Sequence, residues 1–182
     1  MARVVVIGGG WAGCGAAIAA KKAGASEVVL LERTDMLLGT GLVGGIMRNN
    51  GRFTATEEMI AMGGGDLFEI SDRVARHKNV EFPGHKHATL YDVARIEPAV
   101  RKHLIDMGID VRLMSRVKGI ENDGEKLIAV LTDKDERFEA DVFVETTGSA
   151  GPQGNCAKYG NGCAMCVYRC PTFGPRFSVA GK

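Results

Sequence analysis

Val4-Val5-Val6-Ile7-Gly8-Gly9-Gly10-Trp11-Ala12-Gly13, followed by an alanine-rich stretch to Ala23 and then by Glu27-Val28-Val29-Leu30-Leu31-Glu32, decides the fold of this chain. The first four residues are β-branched throughout, the composition of a buried parallel strand. They run into G-x-G-x-x-G. The alanines predict a helix from about Gly13 to Ala23, and Gly24 stops it. Glu27 to Leu31 reads as a second apolar strand, with Glu32 at its end.

Each part has a physical job. Gly8 allows a tight turn, Gly10 lets the backbone approach a pyrophosphate, and Gly13 lets helix and strand pack closely. With Trp11 and Ala12 these residues form the candidate phosphate turn, where N–H groups at the helix start face negative charge. Glu32 lies nineteen residues beyond Gly13, where a carboxylate can accept adenosine ribose hydroxyls. Strand, turn, helix, strand and terminal acid in that order predict a Rossmann-like α/β fold. Whether the dinucleotide is FAD or NAD stays open on these residues. Cys14, in the first helical turn, reads as a small packing residue.

Residues 3–33, with Gly8, Gly10, Gly13, Ala16, Ala17, Gly24, Glu32 and Arg33, resemble the start of FAD-dependent oxidoreductases of the glutathione-reductase-like superfamily. Within it, the fumarate-reductase-like and tRNA-modifying branches are the most similar. The resemblance implies FAD, in a three-layer fold of parallel sheet, helices and small antiparallel β-meander. It also implies that the glycine-rich stretch Gly39-Thr40-Gly41-Leu42-Val43-Gly44-Gly45 passes near the flavin end, so that Gly39, Thr40, Gly41, Gly44 and Gly45 join Arg33 as cofactor-binding candidates. A flexible loop is the alternative for that stretch.

Further along, Thr54-x-Thr56-Glu57-Glu58 predicts a helix start, and Gly63-Gly64-Gly65 its end. A second helix is expected over Asp66 to Lys78, with Leu67, Ile70 and Val74 on one face. Residues 79–90 read as irregular, with His85 and His87 as exposed loop residues. Tyr91 to Met107 carries apolar residues at helical spacing, and Pro98 implies a kink or a start near Glu97. His103 falls on the helix surface, and Met107 and Met114 are assigned to the core. Short strands follow at 109–114, 115–121, 125–132 and 136–139, with Asn122-Asp123-Gly124 as the clearest hairpin turn. A last strand from Asp141 to Glu145 ends in Thr146-Thr147-Gly148. By resemblance, Thr147 and Gly148 touch the FAD and Val117 lies near the adenine. Relatives commonly carry an aspartate after that threonine-glycine pair, where this chain has Ser149.

Residues 1–148 therefore form the expected dinucleotide-binding domain, and 149–182 a separate segment. All 22 acidic side chains precede residue 149, while Lys158, Arg169, Arg176 and Lys182 make the tail purely basic. Inside it lies Cys156-x6-Cys163-x2-Cys166-x3-Cys170-Pro171. Cysteines at this spacing can each hold one iron of a [4Fe–4S] cluster, and the closing Cys-Pro resembles bacterial ferredoxins. A four-cysteine zinc site or a thiol–disulfide pair at Cys163 and Cys166 are the competing readings.

A net charge of +1 gives no reason to expect nucleic acid or a membrane surface as partner. No apolar run approaches the ~20 residues of a membrane span, and no signal peptide is recognised, so a cytoplasmic location is expected. The superfamily continues well beyond such a length. That implies a fragment, or one subunit of a split flavoenzyme with a partner subunit completing the flavin and substrate site. The expectation is an iron–sulfur flavoprotein component passing electrons between a small-molecule substrate, FAD, the cluster and an external donor or acceptor. A non-catalytic nucleotide-binding subunit with structural zinc, and an NAD-binding component, are the rivals. No residue stands out as a catalyst.

Overall fold

The computed structural model describes residues 1–43, 46–48 and 52–148. The expectations for Gly44, Gly45, Cys156, Cys163, Cys166 and Cys170, and for the segment 149–182, lie outside these residues. In chain order the elements are β1 (Arg3–Ile7), α1 (Trp11–Lys22), β2 (Glu27–Leu31), a 3₁₀ turn (Gly39–Val43), β3 (Ile46–Arg48), α2 (Arg52–Ala61) and α3 (Asp66–Arg73). The hairpin β4 (Ala75–Phe82) and β5 (His85–Tyr91) follows, then α4 (Ile96–Asp106). The run closes with β6 (Asp110–Arg112), β7 (Val117–Asp123), β8 (Lys126–Thr132), β9 (Arg137–Glu139) and β10 (Val142–Glu145). They form two compact units, one of Met1–Thr40 with the chain from His103 onward, the other Gly41–Lys102.

The first unit is built on a parallel sheet of order β10-β1-β2-β6. Successive strand residues face opposite sides. On one side Val5, Ile7, Val29 and Leu31 form a core with Val117 and Val130 of the antiparallel meander β7-β8-β9. Ile120, Leu127, Phe138 and Phe143 pack around it. Val4, Val6, Val28 and Leu30 occupy the other side, also buried, and there α1 buries Gly13, Cys14, Ala17 and Ile18. Each fully buried Val or Leu stabilises by about 1.5–3 kcal/mol relative to exposure. Meander, sheet and helix are the three expected layers. Helix α1 ends at Lys22 with Ala23 as its C-cap, the Ala23 N–H donating to the Ala19 carbonyl, and Gly24 follows, left-handed at φ +88°.

The second unit holds the antiparallel sheet β3-β5-β4 with α2 and α3. Here the sequence expectations need correction. The helix predicted over Asp66–Lys78 stops at Arg73, and residues 79–90, expected to be irregular, lie in the β4–β5 hairpin and its turn. Asn79 and His87 take left-handed backbone angles, φ +52° and +55°, at register shifts in this pair. The hairpin therefore lacks the strict two-residue alternation by which strands are recognised. Helix α2 is already under way at Arg52, two residues before Thr54. Tyr91 closes β5 rather than opening a helix, and the helix begins at Ile96, beside Glu97 and Pro98.

In the first unit one assignment also fails. Met114 is 53% exposed, not core, because its φ of +53° turns it out of the strand path. Met107 is half-buried. The hairpin expected at Asn122-Asp123-Gly124 forms with its turn one to two residues later, at Gly124-Glu125: Asn122 and Asp123 close β7, paired to Leu127 and Lys126, and Gly124 turns at φ +62°. Among the described residues, no helix is long and apolar enough to cross a membrane.

Candidate dinucleotide site

The site lies in the first unit, where the carboxyl ends of β1, β2 and β10 come together. Gly8 donates its N–H to Leu31 at 2.8 Å and turns with φ +105°. A Cβ there would stand 2.5 Å from the Thr146 carbonyl oxygen, and one on Gly13 would stand 1.8 Å from that of Gly8. Both positions are closed to any side chain. Gly10 differs, because a Cβ there would meet nothing within 4 Å among the described residues. Gly10 is also the N-cap of α1, with extended backbone, no side-chain cap and no acidic residue in the first helical turn. A helix start with no side-chain cap at Gly10 and no acid in its first turn, opening onto space among the described residues, suits an anion.

Glu32 is 6% exposed. Its Oε2 accepts the Gly9 N–H at 2.8 Å, and its Oε1 accepts the Thr34 N–H and the Thr34 hydroxyl, both at 2.8 Å. These bonds compensate for burying the carboxylate. A carboxylate has about four acceptor positions, so Oε2 retains capacity for a ribose hydroxyl. Ser115 donates its N–H to the Glu32 carbonyl at 2.8 Å, fixing the segment before β7 against the end of β2.

Leu38 is buried with φ +75°, and it donates its N–H to Gly9 at 2.7 Å. A Cβ on the following Gly39 would lie 3.4 Å from the Gly10 Cα. The glycine-rich segment thus starts directly against the phosphate turn. Left-handed backbone at a buried leucine is strained and persists only where its surroundings impose it.

Of the remaining candidates, Trp11 and Arg33 are half-buried and Ala12 is exposed at the start of α1. Thr147 donates its hydroxyl to the Glu145 Oε1 at 2.8 Å, and Gly148 follows with φ +89°, where a Cβ would meet nothing within 4 Å among the described residues. Val117 is buried in the core, so what it can offer a ligand is backbone. Gly41, in the second unit, accepts a hydrogen bond from the Tyr91 hydroxyl. Cys14 is buried with its thiol 3.4 Å from the Gly9 carbonyl oxygen, in keeping with a packing role.

Sequence reasoning missed Thr34, Leu38 and Thr146. Thr34 carries a signal, a hydroxyl two residues after an acid that can bond back to it. Leu38 has none, since leucine gives no hint of a left-handed turn. Among the described residues no group of three or more His, Cys, Asp or Glu side chains is placed to hold a metal ion. His87 Nδ1 lies 2.8 Å from Asn79 Oδ1, and the His85 ring packs against Phe82 with centroids 4.5 Å apart.

A family described as "Glucose inhibited division protein A" matches residues 3–180. The chain belongs to this family. A comparison with curated proteins finds no match. Among solved structures, GidA from Aquifex aeolicus is 21% identical over 82% of this chain and 25% of its own length, with a TM-score of 0.59. Glycerol-3-phosphate dehydrogenase from Bacillus halodurans, complexed with FAD, is 18% identical over 84% of this chain and 34% of its own, with a TM-score of 0.56. CtdE in complex with FAD and a substrate is 18% identical over 81% and 38%, with a TM-score of 0.59. At these identities the likeness establishes the fold. This member of the GidA family spans a quarter to two fifths of the length of the structures it matches.

Proposed function

We propose that this chain is the FAD-binding component of a flavoprotein oxidoreductase. The observation that carries the reading is the open, uncapped start of α1 at Gly10 beside the buried Glu32 carboxylate. The pyrophosphate would sit over Gly8–Gly13, the ribose against Glu32, and the flavin side toward Thr147-Gly148 and the segment from Gly39 to Gly45. Relatives of the same fold crystallised with FAD support FAD over NAD. When bound, FAD supplies two-electron exchange with a substrate and one-electron exchange with a metal centre. The chain's own contribution is to bind and orient it: α1 offers N–H groups to negative charge, Glu32 accepts hydrogen bonds from hydroxyls, and Leu38 and Gly39 lie directly beside the turn.

The same proposal includes a [4Fe–4S] cluster on Cys156, Cys163, Cys166 and Cys170, which are the four thiolates such a cluster needs. A tail with four cations and no anions suits the cluster's negative charge. A partner subunit would complete the flavin and substrate site, and an external donor or acceptor would exchange electrons with the cluster.

Anaerobic purification with co-purifying chains, followed by a visible spectrum, nucleotide release and metal analysis, tests all of this. Released FAD with about four iron per chain is expected. Cys166→Ser should remove the iron and leave the flavin. Released NAD would overturn the FAD assignment, and colourless protein with about one zinc would overturn electron transfer.

A further inference from the structure

The peptide joining Gly8 to Gly9 is held at both ends by side chains. Its carbonyl oxygen lies 2.7 Å from the Thr146 hydroxyl, and its N–H donates to Glu32 Oε2 at 2.8 Å. The Thr146 hydroxyl also lies 3.0 Å from the Ile7 carbonyl oxygen, which already accepts the Thr146 N–H at 2.9 Å. One hydroxyl carries one proton, and the shorter contact, to Gly8, takes it. The same oxygen stands 2.8 Å from where a Gly13 Cβ would be. It therefore fills the junction of β1, the first turn of α1 and the end of β10. Removing the hydroxyl takes from the part-buried Gly8 carbonyl the side-chain donor that holds it against Gly13.

We propose that Thr146 is the positioning residue of the dinucleotide site. Its hydroxyl fixes the Gly8–Gly9 peptide, and that peptide's N–H aims the Glu32 carboxylate. One side chain thus sets both the phosphate turn and the ribose acceptor, which are otherwise carried by separate strands. The neighbouring Thr147 cannot do this, because its hydroxyl is engaged with Glu145. The inference rests on the FAD reading of the site for its ligand, but not for its geometry.

Titration of the nucleotide-free full chain with FAD and with ADP, combined with amide hydrogen exchange at Gly9, tests it. Thr146→Val and Thr146→Ala should weaken both ligands about tenfold, the weight of one hydrogen bond, and speed exchange at Gly9. Thr146→Ser keeps the hydroxyl and should restore both. Glu32→Gln combined with Thr146→Val should cost less than the two separately, because both act on one peptide. Equal affinity in the Val and Ala variants, or unchanged exchange at Gly9, overturns the proposal. So does a Ser variant as weak as Ala. If the unsubstituted chain binds neither FAD nor ADP, the nucleotide reading falls, and the Gly9 exchange rates still decide whether Thr146 positions Glu32.

Discussion

In the first unit the strands Val4–Ile7 and Val28–Leu31 are apolar and buried end to end, and the site at their carboxyl ends is mostly backbone. In the inserted unit β4 reads Ala75-Arg76-His77-Lys78-Asn79-Val80-Glu81-Phe82 and is exposed along most of its length. What holds that unit includes local polar pairs: Arg76 to Asp92 at 2.8 Å, Arg101 to the fully buried Glu97 at 2.6 Å, and Asn79 to His87. The difference teaches where each unit can accept change. Backbone packed on backbone leaves no slack, whereas in the inserted unit the exposed face of β4 can be exchanged at modest cost, but the buried carboxylates Asp92 and Glu97 need their arginines.

The largest effect is expected at Gly13. Gly13→Ala places a methyl 1.8 Å from the Gly8 carbonyl oxygen, and neither backbone can yield without parting α1 from β1. A loss of several kcal/mol is expected, more than about 4, read as loss of soluble folded protein or as a collapsed denaturation midpoint. Gly10→Val should separate binding from folding. Its side chain enters open space on ordinary backbone angles, so the melting temperature should hold while FAD retention is lost. Normal cofactor content in this variant would break the assignment of the phosphate turn.

The inserted unit should lose stability in acid through Asp92. The Ala94 N–H holds the Asp92 carboxyl below its ordinary value, with Arg76 adding to this against the opposing cost of burial. A carboxyl lowered on folding contributes stability that is complete above its unfolded value, about 3.9. That stability is lost as pH falls through the lower folded value. Asp92→Asn should flatten this part of the acid dependence, measured by urea unfolding from about pH 6 to about pH 2. An unchanged acid limb would remove Asp92 from the account of that unit.

The smallest effect belongs to Met114, exposed at φ +53° with its N–H bonded to Thr34. Met114→Asn keeps that backbone bond and suits the left-handed angle, so a gain of a few tenths of a kcal/mol is expected by urea titration.

The same contrast governs what the sequence discloses. In the first unit a run of β-branched residues, three glycines and a terminal acid each have one physical use, and they identify the strand, the glycine turn and the buried acid at the end of β2. In the inserted unit, Ile70 and Val74 keep helical spacing up to the residue where the helix ends. Arg76, His77, Lys78 and Asn79 then offer no apolar alternation, because that part of the strand is exposed. Left-handed Asn79 and His87 shift the register where glycine would have advertised it. Thr146 was illegible for another reason. Beside Thr147 it looks chemically identical, and only the parallel register of β1 with β10 distinguishes the hydroxyl facing Gly8 from the one facing Glu145.

That register has a consequence for synthesis. Gly8 and Thr146 are 138 positions apart, yet they touch. A ribosome adding about 5–20 residues per second makes the first of them many seconds before the second. Throughout that interval the phosphate turn has been made without its buttress, while the contiguous segment Gly41–Lys102 can already close on itself. The parallel pairing of β1 with β10, and with it the Thr146 bond to Gly8, therefore forms late, after Thr146 has cleared the exit tunnel.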